Sequence, residues 1–142
     1  MNRLETIAPK LSQTLRNTDT AKLQSVKLAA CNYVIQNTNE PPSELVSHAL
    51  QQLNESGSLS KDIRDKLAAI AYGLDEKYFQ FYEEDPEDED AYLPFLTKAR
   101  TLNAIAYAGE DDPYDSAVEA IYEICMVTRD RDSFIAYLES LL

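Results

Sequence analysis

An acidic run occupies residues 83–90, Glu-Glu-Asp-Pro-Glu-Asp-Glu-Asp, and proline is its only uncharged member. Aromatic residues stand on both sides of it, four within Tyr78–Tyr82 and two more at Tyr92 and Phe95. Rings supply contact area at the centre of protein interfaces, and carboxylates steer cationic partners toward it. The segment therefore predicts a surface that binds a basic protein.

The aromatic residues before the run are the reason to expect an exposed surface. Positions 78, 79, 81 and 82 point around most of a helical wheel, so one core cannot take all four side chains. The predicted partner-binding residues are Tyr78, Tyr82, Glu83, Glu84, Asp85, Glu87, Asp88, Glu89, Asp90, Tyr92, Glu110, Asp111 and Asp112. The last three form a second acidic turn, in which Asp112 also has the sequence context of a helix cap. The alternative is that the acidic run is only a solvated connector.

Charge is polarised along the chain. The net charge is −12, with +1 on residues 1–71 and −13 on residues 72–142. Nucleic acids and anionic lipids both bind cationic surfaces, so this balance argues against either as the first partner. It favours a basic protein partner, although acidity also serves solubility.

Residues suited to catalysis or metal binding are few. His48 is the single histidine, and its apolar neighbours are typical of a helix flank rather than of a general base. Cys31 and Cys125 show no spacing that pairs either with His48. An EF-hand loop needs glycine at its sixth position, and the acidic run contains none. We therefore expect no catalytic residue, no metal site and no cofactor, and a protein that is not an enzyme.

Helical periodicity recurs along almost the whole chain, and only three glycines occur. The predicted helices cover residues 4–15, 18 or 19 to 36, 43–53, 60 to 74 or beyond, 91–108, 113–127 and 130–142. The acidic run is predicted to be a loop, and Gly73 makes a kink or break of the fourth helix an open question. The fold class is all-α: a single domain over residues 1–142, built as a bundle or a short stack of helical hairpins with six to seven helices.

The cellular compartment is predicted from what the chain lacks. It has no apolar stretch long enough to cross a membrane, and its first residues lack the apolar region of a secretory signal. We therefore expect a cytoplasmic protein without a membrane partner. Cys31 and Cys125 lie among apolar residues, and buried thiols are favoured over a disulfide between them.

Three segments resemble the helical immunity proteins of bacterial contact-dependent inhibition and polymorphic toxin systems. They are Leu74–Phe79, Lys98-Ala-Arg-Thr-Leu-Asn-Ala-Ile-Ala-Tyr-Ala108 with the acidic turn after it, and Ser116–Ile124. The resemblance covers roughly residues 65–130. It implies a small cytoplasmic protein that neutralises a cognate toxin, often a basic nuclease, by direct binding. The alternative function is a structural or scaffold protein of housekeeping role whose acidity serves solubility.

Overall fold

In a computed structural model, which describes residues 2–38 and 40–142, the chain folds into eight α-helices, with no β-strand among those residues. The helices are α1 (Arg3–Ile7), α2 (Pro9–Arg16), α3 (Thr20–Gln36), α4 (Glu44–Ser56), α5 (Lys61–Glu84), α6 (Glu89–Ala108), α7 (Pro113–Val127) and α8 (Arg131–Ser140). The all-α class is confirmed. The predicted number of six to seven helices was too low.

The additional helix comes from a break in the first predicted one. Ala8 departs from the helical conformation, with φ −146° and ψ 66°, and separates α1 from α2. Ala8 precedes Pro9, and the proline ring disfavours the α conformation in the residue before it. Pro9 then begins α2, where its missing N–H costs nothing. The single helix predicted over residues 4–15 was therefore wrong.

Side-chain caps fix the starts of most helices. The carboxylate of Asp112 accepts a hydrogen bond from the Asp115 backbone N–H at 2.8 Å, and Pro113 follows it at the first helical position. Asp19, Ser43 and Ser60 cap α3, α4 and α5 in the same way. An N-cap acceptor satisfies one of the free N–H groups of the first turn, typically worth about 1 kcal/mol. The starts predicted from these residues are confirmed.

Helix α7 lies at the centre of the structure and has eight buried residues. One apolar cluster joins it to α1, α2, α3 and α8, and a second joins α3, α4, α5 and α6 to Ala120 on its other side. Glu123 of α7 is nearly buried and accepts hydrogen bonds from Arg100 of α6 at 3.0 Å and from Arg3 of α1 at 3.3 Å. The Arg3 guanidinium also lies 4.3 Å from the centre of the Tyr122 ring.

The segment before α5 packs against the end of α6. The Leu59 backbone N–H donates to the Gly109 carbonyl at 3.0 Å, and the Leu59 side chain covers the glycine. A Cβ on Gly109 would lie 2.6 Å from the Cβ of Leu59, so the close approach requires glycine. This contact joins the start of α5 to the end of α6.

Candidate functional site

The acidic run continues the helices on either side of it instead of forming a loop of eight residues. Its first two residues end α5 and its last two begin α6, so only residues 85–88 lie outside helices. The predicted loop over the whole run was wrong, and α6 begins two residues before the predicted Ala91. The carboxylates are consequently held on a tight helical hairpin.

Local sequence explains both helix ends. Asp85 has an extended backbone, with φ −153° and ψ 94°, and it precedes Pro86, which disfavours further helix. Glu89 and Asp90 occupy the first turn of α6, where negative charge interacts favourably with the helix dipole. Gly73 leaves α5 unbroken, so the helix continues for 24 residues from the body to the acidic turn.

The outer part of this hairpin, residues 72–97, forms an arm. The buried residues of α5 are Ile63, Leu67 and Ala71, all of which come before the arm begins. Within the arm Tyr92 is the one buried residue, with 8% of its surface exposed. Only α6 packs extensively against α5. The arm therefore contributes little to the core and presents most of its side chains to solvent.

Aromatic rings hold the two helices of the arm together. Tyr92 of α6 packs edge-on against Tyr82 and Tyr78 of α5, with ring centroids 5.3 and 5.6 Å apart. Phe81 of α5 and Phe95 of α6 stack in parallel at 5.4 Å and form a second contact between the helices. Tyr92 is thus occupied inside the protein, whereas Tyr82 touches it with one side and remains 41% exposed.

The arm also holds most of the exposed apolar surface. Among the described residues the exposed large apolar side chains are Ile70, Tyr72, Phe79, Tyr82, Leu93, Tyr137 and Leu141. Four of these seven belong to the arm, and Ile70 lies just before it. Phe79 is 56% exposed and Tyr72 66%. The expectation that some of the four rings at 78–82 are exposed is confirmed.

Negative charge is concentrated on the same arm. Nine carboxylates and one lysine lie within residues 72–97, which gives −8 of the protein's total of −12. None of the carboxylates in the acidic run forms an ion pair with another residue that the structure describes. The pKa of Tyr92 is raised, mainly by desolvation and secondly by the negative charge of Glu89. The carboxylates are free to attract a cationic partner.

The second acidic turn lies elsewhere. Asp112 caps α7, Asp111 is exposed, and Glu110 is partly buried. This turn follows the C-terminal end of α6, whereas the acidic run precedes its N-terminal end. The 20-residue helix separates the two turns by about 30 Å at 1.5 Å per residue. The predicted residues therefore form two separate groups.

One buried lysine was not predicted from the sequence. Lys27 of α3 is 1% exposed, and its Nζ donates to the Gly57 carbonyl at 2.8 Å and to Ser116 Oγ at 3.1 Å. Burial lowers the pKa of Lys27 to about 8. The signal was its spacing, because Lys27 stands four residues after Leu23 and four before Cys31, both buried. With almost no exposed surface the amine is placed to hold helices together, not to meet a substrate.

Other reactive groups are separate from one another. Cys31 and Cys125 are free, buried thiols, as expected, and burial raises their pKa to about 12 and about 11. A thiol with a raised pKa is a poor nucleophile near neutral pH. His48 is exposed on α4. Among the described residues no three histidine, cysteine or acidic side chains are grouped as a metal site would require.

No helix in the described part of the chain has the length and apolar character needed to cross a membrane. Comparison of the chain with known protein families, with curated proteins and with solved structures finds no match.

Proposed function

We propose that this protein is an immunity protein, which neutralises a cognate toxin by binding a basic domain, such as a nuclease domain, through its acidic arm. The observation that carries the proposal is the arm itself, where a charge of −8 and four exposed large apolar side chains share one hairpin outside the core. Solubility accounts for carboxylates on a surface. It gives no reason for apolar side chains to be exposed among them.

Charge and rings have different roles in such a complex. Opposed charges accelerate association, up to about 10⁸ M⁻¹s⁻¹ or more at low salt. Buried rings determine how long the complex lasts. Of the three predicted tyrosines, Tyr82 offers an exposed surface, Tyr78 is partly buried, and Tyr92 supports both from inside the hairpin. A nuclease covered by the arm would meet carboxylates where it normally holds phosphates.

The test begins with the reading frames beside this gene: a basic toxin domain encoded there is co-expressed with this protein, and bacterial survival and the binding kinetics of the purified pair are measured. Replacing the seven acidic residues of the run by Asn or Gln should leave folding intact, because they are exposed and unpaired. It should slow association at least about tenfold at low salt and flatten its salt dependence. Tyr82→Ala should instead speed dissociation.

A control removes two carboxylates, against seven in the run, from the second predicted acidic group. Changing Glu110 and Asp111 to Gln and Asn leaves the arm intact and should alter association much less. Unchanged kinetics of the neutralised arm at low salt would place the interface on another face. Failure of the unsubstituted protein to protect cells from the neighbouring toxin would favour the alternative function, a structural or scaffold protein with acidity for solubility.

A further inference from the structure

One flank of α5 carries side chains in the arrangement of a coiled-coil seam. Ala68, Tyr72, Asp75, Phe79 and Tyr82 follow one another at steps of four, three, four and three residues. Alternating steps of this kind repeat every seven residues and keep a row of side chains on one side of a helix. All five are exposed except Asp75, which is partly buried. We call these five residues the ridge.

The ridge ends at the contact between the two helices of the arm. Tyr82, its last residue, packs against Tyr92 of α6, and Phe81, which stacks on Phe95, lies about 100° around α5 from Tyr82. At 100° per residue, Leu93 of α6 lies about 160° around that helix from Phe95, and it is 40% exposed. The exposed large apolar side chains of the ridge are Tyr72, Phe79 and Tyr82, and Asp75 lies between the first two.

Charges around the ridge specify what can cover it. Numbering the seam as heptads, with Tyr72 and Phe79 at the a positions, places Asp75 and Tyr82 at d and Glu76 and Glu83 at e. Residues at e form ion pairs across a coiled-coil interface, and a polar residue within the seam selects its counterpart on the partner. Asp75 forms no ion pair among the described residues. Three carboxylates therefore stand where a partner helix would present Lys or Arg.

We propose that the ridge is the docking seam for one amphipathic, cationic helix of the partner, with apolar side chains at 3–4 spacing and flanking Lys or Arg. The inference rests on the proposed function, from which it takes a basic partner. It adds the face of α5 on which the partner docks and the helical form of the docking segment. The ridge spans about 21 Å, which a helix of about 15 residues covers. A second copy of this chain does not fit, because it would bring two arms of −8 together.

The experiment uses the full chain and two synthetic peptides of about 20 residues with identical leucine and lysine content. One has leucine at 3–4 spacing along a single face, and in the other the order is permuted so that no apolar face forms. Fluorescence anisotropy at about 0.15 M salt measures both affinities. We expect the amphipathic peptide to bind at least about tenfold more tightly than the permuted one.

Two matched pairs of variants locate the binding. Phe79→Ser should abolish the preference for the amphipathic peptide, whereas Ile70→Ser, at an exposed apolar position on the other flank of α5, should preserve it. Asp75→Asn should weaken binding of the amphipathic peptide more than Glu84→Gln, which removes one charge from the arm outside the seam. Circular dichroism of each variant confirms that the helices remain folded.

Equal binding of the two peptides would overturn the inference, since charge alone would then account for the attraction. An equal effect of Phe79→Ser and Ile70→Ser would overturn it as well, as would a dimer of the free protein that the amphipathic peptide displaces. These results leave the co-expression test of the proposed function unaffected. Conversely, peptide docking on the ridge without protection from a toxin would support the seam and contradict the immunity role.

Discussion

The buried amine of Lys27 should make a contribution to the free energy of unfolding that rises with pH above about 8. Its pKa is lowered from 10.5 to about 8 in the folded protein. Below about pH 8 both folded and unfolded chains carry the proton, so the contribution to the free energy of unfolding is constant there. Between about 8 and 10.5 the unfolded chain retains the proton that the folded chain has lost, and the contribution of Lys27 to stability increases.

The size of the effect follows from the difference between the two pKa values. About 2.5 pH units at 1.36 kcal/mol each correspond to about 3 kcal/mol across the whole window. Lys27→Met removes the charge while filling a similar volume. It also leaves the Gly57 carbonyl and the Ser116 hydroxyl without their hydrogen bonds to the amine. Each unsatisfied group lowers stability by about 1 to 3 kcal/mol. Because these terms oppose, we expect a net effect near neutral pH between a stabilisation of about 1 kcal/mol and a destabilisation of about 3 kcal/mol.

The pH profile is the decisive measurement. Urea unfolding followed by circular dichroism, at several values between about pH 7 and pH 10, gives the free energy of unfolding for both proteins. The raised pKa values of Cys31 and Cys125 lower stability above about pH 9 in both, so the quantity to follow is the difference between them. This difference should move in favour of the unsubstituted protein as pH rises.

Lys22→Met is the control, because Lys22 is exposed on the same helix. It removes the same charge from a solvent-exposed site and supplies the baseline for the comparison. A difference for Lys27→Met that changes with pH no more than that of Lys22→Met would refute the reasoning, since it would mean that burial does not perturb the amine.

Three further predictions concern stability and can be checked by the same urea unfolding. Gly109→Ala should destabilise the protein by about 1 to 3 kcal/mol, because the new Cβ meets Leu59. Gly73→Ala should stabilise it by about 0.5 to 1 kcal/mol, because nothing lies within 4 Å of the new Cβ. A Gly109→Ala variant more stable than Gly73→Ala would contradict the packing. Glu123→Gln should cost at least about 1 kcal/mol, because two arginines lose a nearly buried carboxylate; no loss would show that the pairs contribute little. Asp112→Ala should cost about 1 kcal/mol by removing the cap of α7, and an unchanged midpoint would argue against that cap.

Helix starts were predictable because their signals act within a single turn. Asp112 followed by Pro113 marks the start of α7 without any reference to the rest of the chain. The break at Ala8 was missed because Leu4, Ile7, Leu11 and Leu15 keep one helical spacing across it. Leu4, Leu11 and Leu15 are buried in the same cluster, and Ile7 packs against it. The apolar spacing therefore continues across Ala8 although the helical backbone is interrupted there.

The extent of α5 and the burial of its rings depend on α6. Gly73 weakens a helix in isolation, and the sequence alone could not determine whether packing against α6 would offset that. Which rings are exposed depends on where Tyr92 and Phe95 meet α5. The burial of the Lys27 amine depends on even more distant residues, since its two hydrogen-bond acceptors stand 30 and 89 positions away along the chain.

The separation of arm and core has a consequence for how this protein can diverge. Substitutions at exposed positions away from special contacts usually change the folding free energy by less than about 0.5 kcal/mol, whereas those in a core such as that around α7 cost several times more. The arm, with one buried residue in 26 positions, can therefore accept new side chains while the body still folds. Selection for a new partner can act on the ridge almost independently of selection for stability, and related chains with different partners should differ most there.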